Sequence, residues 1–89
     1  MVSSKLITYD LCNPGKNYDA LYKYIDTYSI WARITESCYF ISTDKSCETI
    51  RNELGALVDP NDKIFVAELT GNVAGRNLIC DTKYLDKFL

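Results

Sequence analysis

Hydrophobic and polar residues follow two different periods along this chain. Short runs rich in β-branched and aromatic residues predict four strands, at residues 5–11, 30–35, 37–43 and 63–69. Apolar residues with helical spacing predict a helix after the first strand: Tyr18, Leu21, Tyr22, Ile25 and Tyr28. A second stripe predicts a helix before the last strand: Cys47, Ile50, Leu54 and Leu57. The predicted order of elements is therefore β-α-β-β-α-β.

This order is typical of the ferredoxin-like βαββαβ arrangement, an α+β two-layer sandwich. Right-handed crossovers place the first and third strands in the middle of a four-stranded antiparallel sheet, with both helices on one face. Turn residues agree with it, at Pro14-Gly15 and Glu36-Ser37 and in the cluster at 59–62. A chain of 89 residues forms one domain. We expect a core at about 5–72 and a short C-terminal extension at 73–89.

The strand pattern predicts apolar side chains on both faces of the sheet, although the helices of a two-layer fold cover only one of them. An exposed apolar face usually marks an interface, so we expect a homodimer through the sheet. The alternative is a terminal segment that folds back over that face. The candidate interface residues are Tyr9, Trp31, Tyr39 and Phe65.

Charge argues against nucleic-acid binding, and composition excludes catalysis by histidine. The net charge is −2, whereas proteins that live on nucleic acid usually carry a basic excess. Arg33 and Arg76, near predicted strand ends or loops, are the two candidates for a phosphate contact. Without any histidine, the chain has no Ser-His or Cys-His nucleophile pair and no histidine base.

The four cysteines show no C-x-x-C spacing, which argues against a structural zinc site. We expect free thiols and a reducing cytoplasm, either bacterial or, for a phage-encoded protein, that of the host. No segment approaches the roughly 20 apolar residues that span a bilayer, and the N-terminus is unlike a signal peptide. We therefore expect no membrane association.

Asp10 is the candidate metal ligand, because it ends the first strand next to a turn. One carboxylate is not enough, but two copies of Asp10 across a dimer axis would suit Mg²⁺, which keeps several waters. The alternative is a structural role, in which Asp10 caps the turn at Asn13–Gly15. We expect no cofactor unless the metal site exists, in which case the metal is Mg²⁺.

Three segments resemble a known family: YDL at 9–11, PGKNYDALY at 14–22 and DKIFVAELTGN at 62–72. They resemble small bacterial and phage proteins labelled SinR-family, which are similar to the ferredoxin-like adaptation subunit of CRISPR systems. In that family an aspartate at the end of the first strand is paired across the dimer axis and binds a divalent metal, and the matching residue is Asp10. The chain departs from the family in its acidic balance and in keeping a single tryptophan, Trp31.

Two functions follow as expectations. The first is a non-enzymatic homodimeric protein-interaction module, of phage or mobile-element origin and linked to host defence. The alternative is a metal-dependent nuclease or nucleic-acid-binding dimer centred on Asp10. The acidic balance and the missing histidine favour the first.

Overall fold

The computed structural model describes residues 2–12 and 18–80. Within them the chain forms β1 (Ser3–Asp10), α1 (Asp19–Asp26), β2 (Trp31–Thr35), β3 (Cys38–Thr43), α2 (Cys47–Gly55) and β4 (Lys63–Leu69). The predicted order of elements is confirmed, and β4 has the predicted bounds. None of the helices among these residues is long and apolar enough to cross a membrane.

The strands form one antiparallel sheet in the order β2-β3-β1-β4. β1 and β3 are therefore central, as the crossovers predict, and the α+β architecture is compatible with a ferredoxin-like fold. The register sets Asp10 beside Lys63 at one end of the β1–β4 pair and Lys5 beside Glu68 towards the other. Between β2 and β3 the register shifts at Arg33/Thr35.

The second helix has a side-chain N-cap, and the first helix has none. The Ser46 hydroxyl accepts a hydrogen bond from the Thr49 N–H at 3.1 Å, which satisfies a donor that the first turn of α2 cannot pair internally. α1 follows Tyr18, which supplies no side-chain cap. The predicted turn at Pro14-Gly15 lies outside the described residues.

Both helices pack on one face of the sheet. Their buried residues Leu21, Ile25, Ile50 and Leu54 meet four strand residues: Ile7, Tyr9, Tyr39 and Ile41. Tyr9 and Tyr39 thus belong to the core under the helices, and each is only 6% exposed. The dimer predicted from sequence uses the other face, where neither tyrosine presents its side chain.

A lysine is buried on the helix-covered face. Lys5 is 3% exposed, and its ammonium donates to the Ser3 hydroxyl and lies 3.1 Å from the Glu68 carboxylate. These partners offset the desolvation of the charge. Lys5 therefore needs Glu68, which lies beside it in the register and reaches water.

The two helices are tied together by a polar cluster. The Tyr24 hydroxyl donates to the Glu53 carboxylate and contacts the Tyr28 hydroxyl, each at 2.5 Å. The Lys45 ammonium donates to the same carboxylate at 2.8 Å and lies over both tyrosine rings. Because α1 supplies Tyr24 and α2 supplies Glu53, the cluster fixes the spacing of the helices.

The other face of the sheet is half covered by residues 70–80, which we call the strap. Leu78 and Cys80 pack against Ala32 and Phe40, and Phe40 is completely buried. The Ile79 N–H donates to the Ile34 carbonyl of β2 at 3.0 Å. A segment after β4 thus folds back over the face, in line with the alternative predicted from the sequence, and its described contacts lie mainly on the β2–β3 side. The rest of the C-terminal extension, 81–89, lies outside the described residues.

The polar cluster makes the stability of the fold depend on pH in the acid range. The Lys45 ammonium, and then the Tyr24 hydroxyl, hold the pKa of Glu53 below its ordinary value of 4.5. Such a carboxyl stabilises the fold above its unfolded-state pKa, and this stabilisation is lost as the pH falls through the lower folded-state pKa. We expect the free energy of unfolding of Glu53→Gln to fall less than that of the wild type when the pH drops below 4.5. Urea titrations from about pH 7 to about pH 3 measure it.

Glu48→Gln is the matched control, because Glu48 is exposed on the same helix and makes no contact with this cluster. The free energy of unfolding of Glu48→Gln should change with pH almost as that of the wild type does. Identical acid dependence in wild type and Glu53→Gln would show that the cluster does not stabilise the fold through charge.

Candidate functional site

The candidate site is the half of the second sheet face that the strap leaves free. We call it the β1–β4 strip, and its six residues point away from the helices: Leu6, Thr8, Asp10, Lys63, Phe65 and Ala67. Phe65 is 63% exposed in the middle of β4, and it is the largest apolar side chain of the strip. Strand alternation alone puts this ring outside, because Ile64 and Val66 on either side pack into the helix-covered core.

A shallow depression of about 170 Å³ lies at one end of the strip. Its lining residues are Thr8, Tyr9, Asp10, Lys63, Ile64 and Phe65. The structure thus brings together two residues that the sequence analysis singled out for different reasons, the carboxylate of Asp10 and the ring of Phe65. A depression this small and open takes one side chain of a partner rather than a drug-sized ligand.

Asp10 is exposed at the end of β1, as predicted. Its carboxylate makes no hydrogen bond or ion pair with the described residues, and these residues contain no cluster of three or more cysteine, aspartate or glutamate side chains able to hold a metal. Glu68 lies five positions along the ladder, beside Lys5, which is about 17 Å away at 3.3 Å per residue. The Asp62 carboxylate lies at the same end of β1, but it already accepts hydrogen bonds from the Cys12 and Asp59 N–H groups at 2.8 Å each. The turn that Asp10 was predicted to cap lies outside the described residues.

Lys63 faces Asp10 across the β1–β4 ladder and also approaches Cys12. Its ammonium lies 3.9 Å from the Cys12 sulfur, which itself donates to the Asn61 carbonyl at 3.2 Å. The Cys12 N–H donates to the Asp62 carboxylate at 2.8 Å. These contacts fasten the end of β1 to the turn before β4, and all four cysteines are unpaired.

The other predicted aromatic residues form a cluster on the helix-covered face. Tyr39 stacks on Tyr9 at 6.4 Å between ring centroids and lies 6.1 Å from Trp31. Burial raises the pKa of both tyrosines, so their hydroxyls stay protonated. Trp31 is 38% exposed at the edge of this cluster. It therefore lies on the opposite face from Phe65, and one flat contact does not include both.

The two candidate arginines differ in how freely they reach a ligand. The Arg33 guanidinium donates to the Glu36 carbonyl at 2.8 Å and lies 5.7 Å from the centre of the Tyr39 ring, and its buried Nε has no hydrogen-bond partner among the described residues. The Tyr9 hydroxyl donates to the same carbonyl at 3.1 Å. Arg33 thus anchors the β2–β3 turn, whereas Arg76 is exposed in the strap.

Sequence reasoning missed the pair between buried Lys5 and exposed Glu68. Its signal is present, because Lys5 precedes Ile7 and Tyr9 by strand spacing and so belongs to their face. Glu68 follows Val66 by the same spacing on β4. Two opposite charges at inward positions of neighbouring strands indicate such a pair.

No protein-family model matches the chain, and comparisons with curated proteins and with solved structures find no significant match. The SinR-family resemblance therefore stays a prediction.

Loosening the strap tests how firmly it covers the sheet. Leu78 is half-buried against Phe40 and Ala32, so we expect Leu78→Ala to lower the free energy of unfolding by about 1 kcal/mol, less than for a fully buried leucine. The strap should also open more often, which urea unfolding and the rate of tryptic cleavage after Arg76 measure.

Ile79→Ala is the matched control, because Ile79 is the next residue and is 58% exposed. It removes a similar side chain that points away from the sheet, and it should change stability and cleavage much less. Equal effects of the two substitutions would mean that the strap is not held by its packing on Phe40.

Proposed function

We propose that this protein is a ferredoxin-like, homodimeric protein-interaction module that acts without catalysis. The observation that carries the proposal is the ring of Phe65, which is 63% exposed at the centre of the β1–β4 strip. The β2–β3 side of the same face is covered by the strap. An aromatic side chain held outside on a strand loses little conformational freedom on binding and buries a large apolar area.

The surroundings of Phe65 support a contact rather than a reaction. The described residues contain no group of three or more cysteine, aspartate or glutamate side chains able to hold a metal, and the chain has no histidine to act as a base. A small two-layer domain also has little buried core of its own, so association through the strip adds stability that the single chain lacks. The family resemblance adds a phage or mobile-element origin, a cytoplasmic setting and a host-defence protein as partner.

Replacing the central ring by a charge tests the proposal. We expect Phe65→Asp to convert the dimer to a monomer, because an isolated carboxylate in an apolar contact costs several kcal/mol. Sedimentation velocity over a range of protein concentrations measures the change, and circular dichroism verifies that the fold is kept.

Val2→Asp is the matched control, because Val2 is 61% exposed and lies beyond the opposite end of β1. The Val2→Asp variant should dimerise with the same dissociation constant as the wild type. A monomeric wild type at millimolar concentration, or a Phe65→Asp variant that dimerises as well as the wild type, would overturn the proposal.

A second candidate is a metal-dependent nuclease or nucleic-acid-binding dimer. One observation favours it, because Asp10 lies on the same strip as Phe65 and carries no partner among the described residues. A dimer through the strip brings two such carboxylates to one interface, where Mg²⁺ with its waters is a suitable ion. Lys63 beside Asp10 opposes it, since its ammonium already supplies positive charge.

We expect the wild-type protein to leave labelled single- and double-stranded DNA and RNA uncut in the presence of Mg²⁺ or Mn²⁺. The reason is that the Asp62 carboxylate, at the same end of β1 as Asp10, is already held by the Cys12 and Asp59 N–H groups, and the described residues contain no group of three or more metal-binding side chains. Gel assays at high protein concentration measure cleavage by the wild type and by the Asp10→Ala variant. Cleavage by the wild type that disappears in Asp10→Ala would establish the nuclease and refute the non-catalytic proposal.

A further inference from the structure

The six residues of the β1–β4 strip form three rows, and each row sets unlike side chains next to each other. The register pairs Leu6 with Ala67, Thr8 with Phe65 and Asp10 with Lys63. In the first two rows a large apolar side chain lies beside a small one. In the third an acid lies beside a base.

This pattern is self-complementary under one particular symmetry. A two-fold axis that lies between β1 and β4, nearly parallel to them and above the strip, places β4 of the partner over β1 and β1 of the partner over β4. Residues that are neighbours within a row then face each other across the interface. Large side chains meet small ones in two rows, and in the third the charges meet their opposites.

We infer that the partner of the β1–β4 strip is a second copy of this chain, held in register by two reciprocal ion pairs between Asp10 and Lys63. The inference depends on the homodimer in the proposed function and names its geometry. Phe65 of each copy packs over Thr8 of the other, and the apolar rows stack as in aligned sheet packing, with the sheets about 10 Å apart.

The rest of the molecule permits this arrangement. Leu78 and Cys80 of the strap pack over Ala32 and Phe40, on the β2–β3 side of the face, and Phe65 on β4 stays 63% exposed. The strap of the partner lies beyond the other edge, next to β4. Asp10 is free to pair, because its carboxylate has no partner among the described residues, and Lys63 has only the 3.9 Å contact with the Cys12 sulfur.

The contact is narrow, so the dimer is weak. Three rows of two side chains bury much less than the roughly 800 Å² per partner of a standard interface. The ion pairs therefore act mainly on alignment and specificity, since wrongly paired like charges at an interface are strongly unfavourable. Other alignments of the two strips place Asp10 near Asp10 or leave both charges without partners.

Charge reversal tests the register. We expect Asp10→Lys and Lys63→Asp each to raise the dimer dissociation constant at least about tenfold, because each creates two contacts between like charges. The double variant Asp10→Lys/Lys63→Asp restores the opposite charges and should return the constant to within about threefold of wild type. Sedimentation equilibrium on the full chain measures all four proteins.

Arg51→Glu is the control for net charge, because Arg51 is exposed on α2, on the other side of the sheet, where its guanidinium donates to Asn52. It should leave the dissociation constant unchanged. Circular dichroism on every variant verifies the fold.

The outcomes separate this inference from the proposed function. A dimeric wild type whose single variants weaken and whose double variant does not recover would overturn the reciprocal pairing while leaving the homodimer intact. A dimer that no reversal affects would overturn the pairing as well and place the interface elsewhere. A wild type that stays monomeric would overturn both.

Discussion

Two helices cover one face of a four-stranded sheet, and the side chains of the other face still have to be kept from water. This constraint organises the structure. The helix layer buries Ile7 and Ile41 completely, and the strap does the same for Phe40 on the reverse side of the central strands. Only the strip along β1 and β4 has no covering element among the described residues. The proposed function follows from that remaining surface.

The two faces also treat charge in opposite ways. On the covered face, Lys5 is desolvated and depends on Glu68 and Ser3 for its hydrogen bonds. On the uncovered face, Asp10 and Lys63 lie side by side in water. Leaving a buried charge without its partner is costly, whereas exposed charges contribute little until a partner arrives. Charge inside the domain therefore serves its architecture, and charge on the strip is available for recognition.

The elements were predictable because their signals are local. β4 is bounded by the turn cluster at 59–62, and Ser46 has the side chain that an N-cap needs. The choice of face was not predictable, since Tyr9 and Tyr39 belong to strands that are apolar on both sides. Alternation separates two faces but does not say which one receives the helices. That choice comes from packing between distant parts of the chain.

The candidate site was predicted in pieces. Asp10 and Phe65 were each identified from sequence, but their position in one depression follows from the β1–β4 register, which no local pattern contains. The strap was foreseen only as an alternative, because Leu78 and Cys80 lie in a stretch without strand or helix periodicity. Their role becomes evident from contacts with Ala32 and Phe40, more than thirty positions earlier.

The hydrogen bond from the Ile79 N–H to the Ile34 carbonyl has a consequence for the behaviour of the protein in a crowded cell. β2 is an edge strand, and an unpaired edge is a template on which other chains add strands. The strap occupies one position of that edge, Ile34, within the register shift between Arg33 and Thr35, which also interrupts a regular ladder. The same short segment that shields the apolar face thus also blocks part of the β2 edge to strand addition by another chain.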